Sequence, residues 1–160
     1  MKFSVPVLFF LIVLAGCGKT DTVCPYNESS VVAPADEIAN LSDSLAKYNI
    51  TASQAAPGFF YKINSQGSGA SVANLCTVVT VSYKGMFFDG SIFDSTANNQ
   101  TASFQLGEVI TGWQKAIPLV NKGGDIDLYI PPSLGYGPNT FRDIPGNSYL
   151  VFNVHVADIQ

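Results

Sequence analysis

The sequence predicts an α+β domain, an antiparallel sheet with one short helix on its face and a further short helix ahead of it. Three observations lead there. Ile126, Leu128 and Ile130 alternate with Asp125, Asp127 and Tyr129, the period-2 pattern of a strand with one wet face. The closing segment Tyr149–Ile159 alternates likewise, with Phe152, Val154 and Val156 on one side. Between the β-like runs, Val109 to about Val120 offers one short helix, which holds the only tryptophan, Trp113. Runs of strands with a segregated helix are the mark of an α+β arrangement.

The elements follow in order. Ile38, Leu41, Leu45 and Tyr48 recur at helical spacing, with Asp36 and Glu37 at the end where the helix dipole favours acids, so residues 36–57 read as a helical extension. A helix this short is marginal alone, so its apolar stripe needs the following domain or a second subunit. After Pro57-Gly58 the chain turns β-like: Phe59–Ile63 is a strand closed by Gly67-Ser68-Gly69, and Thr77–Tyr83 is the next, continued by Gly85–Phe88 to a turn at Asp89-Gly90. Ser103–Leu106 is a third, and the Ile126 and Tyr149 segments complete five strands over residues 58–160.

Residues 1–16 read as an address. Lys2 precedes an uncharged run, Val5–Ala15, which as a helix would rise about 16 Å, roughly half the hydrocarbon thickness of a bilayer. A basic start, a short apolar centre and small residues beyond it make a secretory signal peptide. Its end, Leu14-Ala15-Gly16-Cys17, resembles the lipobox of bacterial lipoproteins, in which the cysteine is lipidated and becomes the first mature residue. Residues 17–35, polar and carrying Pro25 and Pro34, read as a tether from lipidated Cys17. The expected location is the bacterial cell envelope, on a membrane held through Cys17. Cys24 and Cys76 would remain in a compartment where disulfides persist, and both a bonded pair and free thiols fit the sequence.

Composition removes several kinds of chemistry. The 160 residues carry 8 basic and 12 acidic side chains, a net charge of −4, and one histidine. Loss of Lys2 with the signal peptide leaves 7 basic against 12 acidic, or −5. Phosphate binding needs clustered Lys and Arg, so nucleic acid is not an expected partner. His155, the one histidine base available to a Ser or Cys nucleophile, has the opposite strand parity to Phe152, Val154 and Val156, which puts it on the wet face. One histidine and two distant cysteines close no tetrahedral metal site, and Gly67-Ser68-Gly69 lacks the continuation of a dinucleotide loop, so neither metal nor cofactor is expected. Asp125 and Asp127 read as a solvated strand face. What stands out is aromatic side chains set beside glycine turns: Tyr83 near Gly85, Phe93 after Gly90, Trp113 after Gly112, and Tyr136 between Gly135 and Gly137. So placed, they can line a concave apolar pocket.

These stretches, taken together, resemble the FKBP-type peptidyl-prolyl cis/trans isomerases. The matching segments run from Val79-Thr80-Val81-Ser82-Tyr83-Lys84-Gly85 through Asp89-Gly90-Ser91-Ile92-Phe93-Asp94-Ser95 to Phe104-Gln105-Leu106-Gly107-Glu108-Val109-Ile110-Thr111-Gly112-Trp113. They continue through Ile130-Pro131-Pro132-Ser133-Leu134-Gly135-Tyr136-Gly137 and Ile144-Pro145 to Leu150-Val151-Phe152-Asn153-Val154.

The resemblance implies a twisted antiparallel sheet wrapped around a short helix. It also implies rotation of X-Pro bonds in unfolded or partly folded exported proteins, with no cofactor. By residue match, Trp113 forms the floor of a proline pocket, with Tyr83, Phe93, Val109, Ile110, Ile144 and Phe152 as walls. The Tyr136 hydroxyl and the Ile110 N–H are donors to peptide carbonyls, and Asp94 stands near the carbonyl of the rotating bond. Macrolides such as rapamycin are candidate ligands of such a pocket. Three stretches depart from the family pattern: Ala102 where a larger pocket-edge residue is usual, Thr96–Thr101 without a basic residue, and the loop from Tyr136 to Ile144, which contains Phe141. A non-catalytic peptide-binding, chaperone-like envelope lipoprotein is the alternative reading.

Overall fold

Alternating apolar residues on the long β segments assemble into one twisted sheet whose two faces are covered by different helices. The computed structural model describes residues 23–97 and 100–160; the expected signal peptide and Cys17 lie outside the described residues. The elements are α1 (Ala35–Lys47), β1 (Ser53–Gln54), β2 (Phe60–Ser65), β3 (Val78–Met86), β4 (Ile92–Ser95), β5 (Ala102–Gln105), α2 (Thr111–Ala116), β6 (Asp125–Ile130) and β7 (Leu150–Ile159). The strands lie in the order β1-β2-β6-β7-β3-β4, with β5 also on β3. Every pairing is antiparallel.

Two of the seven strands, β1 and β4, are absent from the sequence reading. At two and four residues they are too short to show an alternation. The expected helix from Val109 is shorter than its pattern. It comprises α2 flanked by 3₁₀ turns at Leu106–Glu108 and Ile117–Leu119, the second carrying Pro118, which lacks a helical donor.

The inner face holds the main core. Val79, Val81, Ile126, Leu128, Ile130, Phe152, Val154 and Val156 pack against Trp113, Ala116, Ile117 and Val120 of α2 and the turn after it.

The outer face is not wet along its whole length. Phe60 pairs with Tyr129, Tyr129 with Val151 and Val151 with Met86, one row across four strands. α1 lays Leu41 and Leu45 on that row, and Leu41 is fully buried. Tyr129, which alternation assigns to solvent, is only 5% exposed for this reason. The helical stripe therefore has its partner within the same chain. Its last member, Tyr48, stays partly exposed and packs on Phe88, with ring centres 5.7 Å apart.

The described part of the expected tether also lies on the domain. Cys24 and Cys76 form a disulfide with Cα atoms 5.7 Å apart. Glu28 pairs with Lys115 at 2.8 Å. Ala33 is buried, and its N–H donates to Pro57 O at 2.8 Å. Polar composition suggested a free segment, but a few side chains are enough to strap it down. Glu37 at the start of α1 accepts from the Ser133 N–H at 3.0 Å, which ties the helix to the segment before Tyr136.

Candidate active site

β3 shares one edge between two short strands, with β5 along Val78–Val81 and β4 along Lys84–Met86. Tyr83 stands in the gap between them. Its backbone is satisfied by Thr96, whose Oγ1 accepts from Tyr83 N–H at 3.0 Å and whose N–H donates to Tyr83 O at 3.1 Å. A cleft of about 340 Å³ opens here, lined by Tyr83, Asp94, Phe104, Glu108, Val109, Ile110, Trp113, Tyr136, Phe141, Arg142 and Phe152. That size suits a residue or two of peptide.

Trp113 is the hub of the cleft. The rings of Tyr83, Phe104 and Phe152 meet it edge-on, with centroids 5.4, 6.1 and 5.3 Å away and interplanar angles of 89°, 89° and 82°. Edge-to-face contacts of this kind fix ring orientation as well as burying area. The indole is 4% exposed, and its Nε1–H has no acceptor among the described residues. α2 holds Trp113 through its N–H, which donates to Ile110 O at 2.9 Å. The Ile110 carbonyl is thereby fixed, while its own N–H meets no protein acceptor among the described residues.

Hydroxyl and charge sit at the rim. Tyr83 OH donates to Asp94 Oδ2 at 2.6 Å, and burial, reinforced by that carboxylate, holds the phenol well above its ordinary pKa. Burial also raises Tyr136, with the Asp94 charge adding to the rise and Arg142 opposing it. Both phenols are therefore O–H donors at neutral pH. Tyr136 stacks on Phe141 at 4.8 Å and 8°, and the Arg142 guanidinium lies 5.4 Å from the Phe141 ring centre. Phe141 and Ile144 exchange both backbone bonds, 2.9 and 3.0 Å, in a tight turn that presents Phe141 to the cleft.

The cleft gathers most of the residues chosen from sequence: Tyr83, Asp94, Val109, Ile110, Trp113, Tyr136 and Phe152. Two assigned walls stand behind it. The Phe93 ring lies over Gly85, where a Cβ would come within 2.7 Å of it, and packs on Phe152 and Phe87 at 5.6 and 5.1 Å. Ile144 is core, 6% exposed, its N–H and C=O spent on Phe141. Ala102 does not line the cleft; the Phe104 ring, on the same strand, forms that side. Phe104, Glu108 and Arg142 are lining residues to which the sequence reading gives no role, and Phe141, a possible wall in the loop that departs from the family pattern, joins them. An aromatic exposed in a Pro/Gly-rich loop was the available signal for Phe141.

A larger cleft, about 540 Å³, lies on the outer face of the sheet. Both of its carboxylates are hydrogen-bonded within it. His155 Nδ1 is 2.8 Å from Asp125 Oδ1, and Asn153 and Asn64 donate to Asp127 at 2.7 and 2.9 Å. His155 faces away from Trp113, as its strand parity requires. Among the described residues no three His, Cys, Asp or Glu side chains are grouped to hold a metal, and no helix is long and apolar enough to cross a membrane.

Comparison with known proteins gives this arrangement its family. Residues 69–157 match the model of the FKBP-type peptidyl-prolyl cis-trans isomerases. The chain belongs to that family. FkpA of Buchnera aphidicola subsp. Schizaphis graminum, an FKBP-type peptidyl-prolyl cis-trans isomerase, is 38% identical over 109 residues, covering 68% of this chain and 43% of the relative. Outer membrane protein MIP of Legionella longbeachae is 37% identical over 105 residues, covering 64% of this chain and 45% of the relative. The crystal structure of FkpA from Escherichia coli superposes with a TM-score of 0.70 at 34% identity, covering 79% of this chain and 60% of that one. The chain thus spans a little under half the length of the curated relatives it matches. The FKBP-type match begins at residue 69, so the strap of residues 23–34, α1, β1 and β2 lie ahead of it.

Proposed function

We propose that the protein catalyses cis–trans isomerisation of X-Pro peptide bonds in exported proteins, using the cleft over Trp113. The observation that carries this reading is the aromatic cage: a buried indole gripped edge-on by Tyr83, Phe104 and Phe152, with hydroxyl and N–H donors at its rim.

The chemistry needs no nucleophile. Rotation about the amide must break its partial double bond, against a barrier of about 18–20 kcal/mol. The twisted amide is less polar than the planar one, so a dry aromatic cleft disfavours the ground state more than the transition state. Donors placed for the twisted form add selective stabilisation. Trp113 seats the pyrrolidine, with Phe104, Val109 and Phe152 around it. Tyr136 O–H and the Ile110 N–H hold the flanking carbonyls, and Asp94 faces the carbonyl of the rotating bond. The Tyr83–Asp94 bond fixes the carboxylate, and Phe141 shields Tyr136 from water. A macrolide such as rapamycin is a candidate ligand of the same cage.

The setting is the bacterial envelope, with Cys17 lipidated after removal of residues 1–16. The lipobox-like segment and the name of the outer membrane relative support it. Proline isomerisation, left alone, takes tens of seconds or more, long enough to delay folding of exported chains.

The test is a protease-free assay of an X-Pro tetrapeptide with the mature chain. A relaxation rate that rises linearly with protein concentration is expected. A rate equal to that of buffer, with the peptide still bound, would make this a non-catalytic peptide binder. Palmitate labelling lost in Cys17→Ser tests the anchor.

A further inference from the structure

We infer that Glu108, held by the Tyr26 hydroxyl of the N-terminal strap, is a specificity-determining residue that favours peptides with Lys or Arg next to the proline. The inference rests on the cleft over Trp113 being the X-Pro site.

Glu108 lines that cleft and is exposed at its rim. A lone glutamate on a surface turn would sample several rotamers and fix no register. Here it is restrained. Tyr26 OH donates to Glu108 Oε1 at 2.9 Å and lies 3.3 Å from Gln105 Oε1. The Tyr26 ring covers Gly107 so closely that a Cβ there would overlap it. Glycine at 107 is thus required by the strap, and the ring is set beside the residue it orients.

The strap is itself fixed on both sides of Tyr26. Two residues earlier, Cys24 is bonded to Cys76, whose carbonyl accepts from Gln105 Nε2 at 3.3 Å. Two residues later, Glu28 pairs with Lys115 at 2.8 Å. That pairing also engages the lysine of α2. Among the described residues, Glu108 therefore has a hydroxyl partner and no cationic one.

Asp94 is in the same position, bonded to Tyr83 OH. Among the described residues, two carboxylates without cationic partners thus flank the cleft, and Arg142, over Phe141, is the one cation that lines it. A cationic side chain next to proline would meet uncompensated negative charge on the Glu108 side, and an anionic one would be repelled there. The net charge of the chain, −4, acts in the same direction at longer range.

The experiment measures kcat/KM for tetrapeptides carrying Lys, Leu or Glu immediately before or immediately after proline, at low salt and at 1 M salt. The unmodified protein should favour Lys over Glu on one side of the proline, and the ratio should collapse towards one at 1 M salt. Glu108→Gln should lower that ratio about two- to fivefold, the range of an exposed ion pair. Tyr26→Phe, which removes only the hydroxyl, should lower it in the same direction, a change that a purely structural tyrosine would not produce. Full activity on Leu-Pro with the same Lys:Glu ratio in the unmodified protein and in Glu108→Gln overturns the inference and leaves the isomerase reading intact. A ratio that falls in Glu108→Gln and not in Tyr26→Phe overturns the role of the strap. No acceleration of any peptide overturns the isomerase reading, and this inference with it.

Discussion

The phenolic oxygen of Tyr83 lies 2.6 Å from Oδ2 of Asp94, so the ring that meets Trp113 edge-on also holds the carboxylate at the mouth of the cleft. Removal of that hydroxyl leaves the aromatic contact in place and frees Asp94. A hydrogen bond to a charged group contributes about 1.5–3 kcal/mol, with exposed pairs at or below the low end. Tyr83→Phe should therefore lower kcat/KM about three- to tenfold with little change in the urea midpoint. Asp94→Ala should cost at least as much. Full activity in both variants would remove this pair from the mechanism.

The pH dependence should be that of phenols. Tyr136 and Tyr83 both have raised pKa values, chiefly through burial, so both remain protonated donors below the ordinary tyrosine value of about 10. Donor function is then complete at neutral pH and is lost only as pH rises through the raised values. A flat kcat/KM between pH 6 and 9, with decline above 10, is expected from stopped-flow relaxation. An imidazole base would instead give an inflection near 6.5. His155, on the far face with Asp125, should change neither rate nor profile when replaced by Gln.

Docking of α1 on the outer face makes a stability prediction. Leu41 is fully buried against the row of Phe60, Tyr129 and Val151. Leu41→Ala should reduce unfolding free energy by about 2–5 kcal/mol in urea titration. It should do so at every protein concentration, because the covering surface belongs to the same chain. A loss that vanished on dilution would indicate that the stripe is buried between two copies instead.

Different parts of this molecule were legible to different degrees. The inner sheet face could be read because Ile126, Leu128 and Ile130, and Phe152, Val154 and Val156, obey strict alternation, and Trp113, Tyr83 and Tyr136 because each stands by a glycine turn within a motif. Alternation assigns a residue to a face and says nothing of what covers it. Tyr129 was placed in water for that reason, although α1, far away in sequence, lies over it. Phe93 is a wall by match to the family motif, and a motif match does not tell which way a ring turns: here it lies over Gly85 against Phe87 and Phe152. The two cysteines mark a possible bond without fixing it. The rest of the strap reads as a tether because what pins it, Tyr26 over Gly107 and Glu28 on Lys115, is long-range contact that carries no period.

The disulfide should stabilise mainly through the unfolded chain. Cys24 and Cys76 are 52 residues apart, and the loop they close contains α1, β1 and β2. In the chain-entropy view a loop of that length is worth about 4 kcal/mol, and native cross-links commonly give 2–4. The folded state has other holds on the strap: Ala33 in the core with its N–H on Pro57 O, Glu28 on Lys115, and Tyr26 against Gly107. Loss of the bond should therefore lower the urea midpoint without unfolding the domain. A Cys24→Ser, Cys76→Ser double variant should lose about 2–4 kcal/mol of unfolding free energy at an unchanged far-ultraviolet spectrum. Amides of residues 24–33 should exchange faster than those of β3 and β7. An unchanged midpoint under matched conditions would show that the bond adds nothing to these contacts.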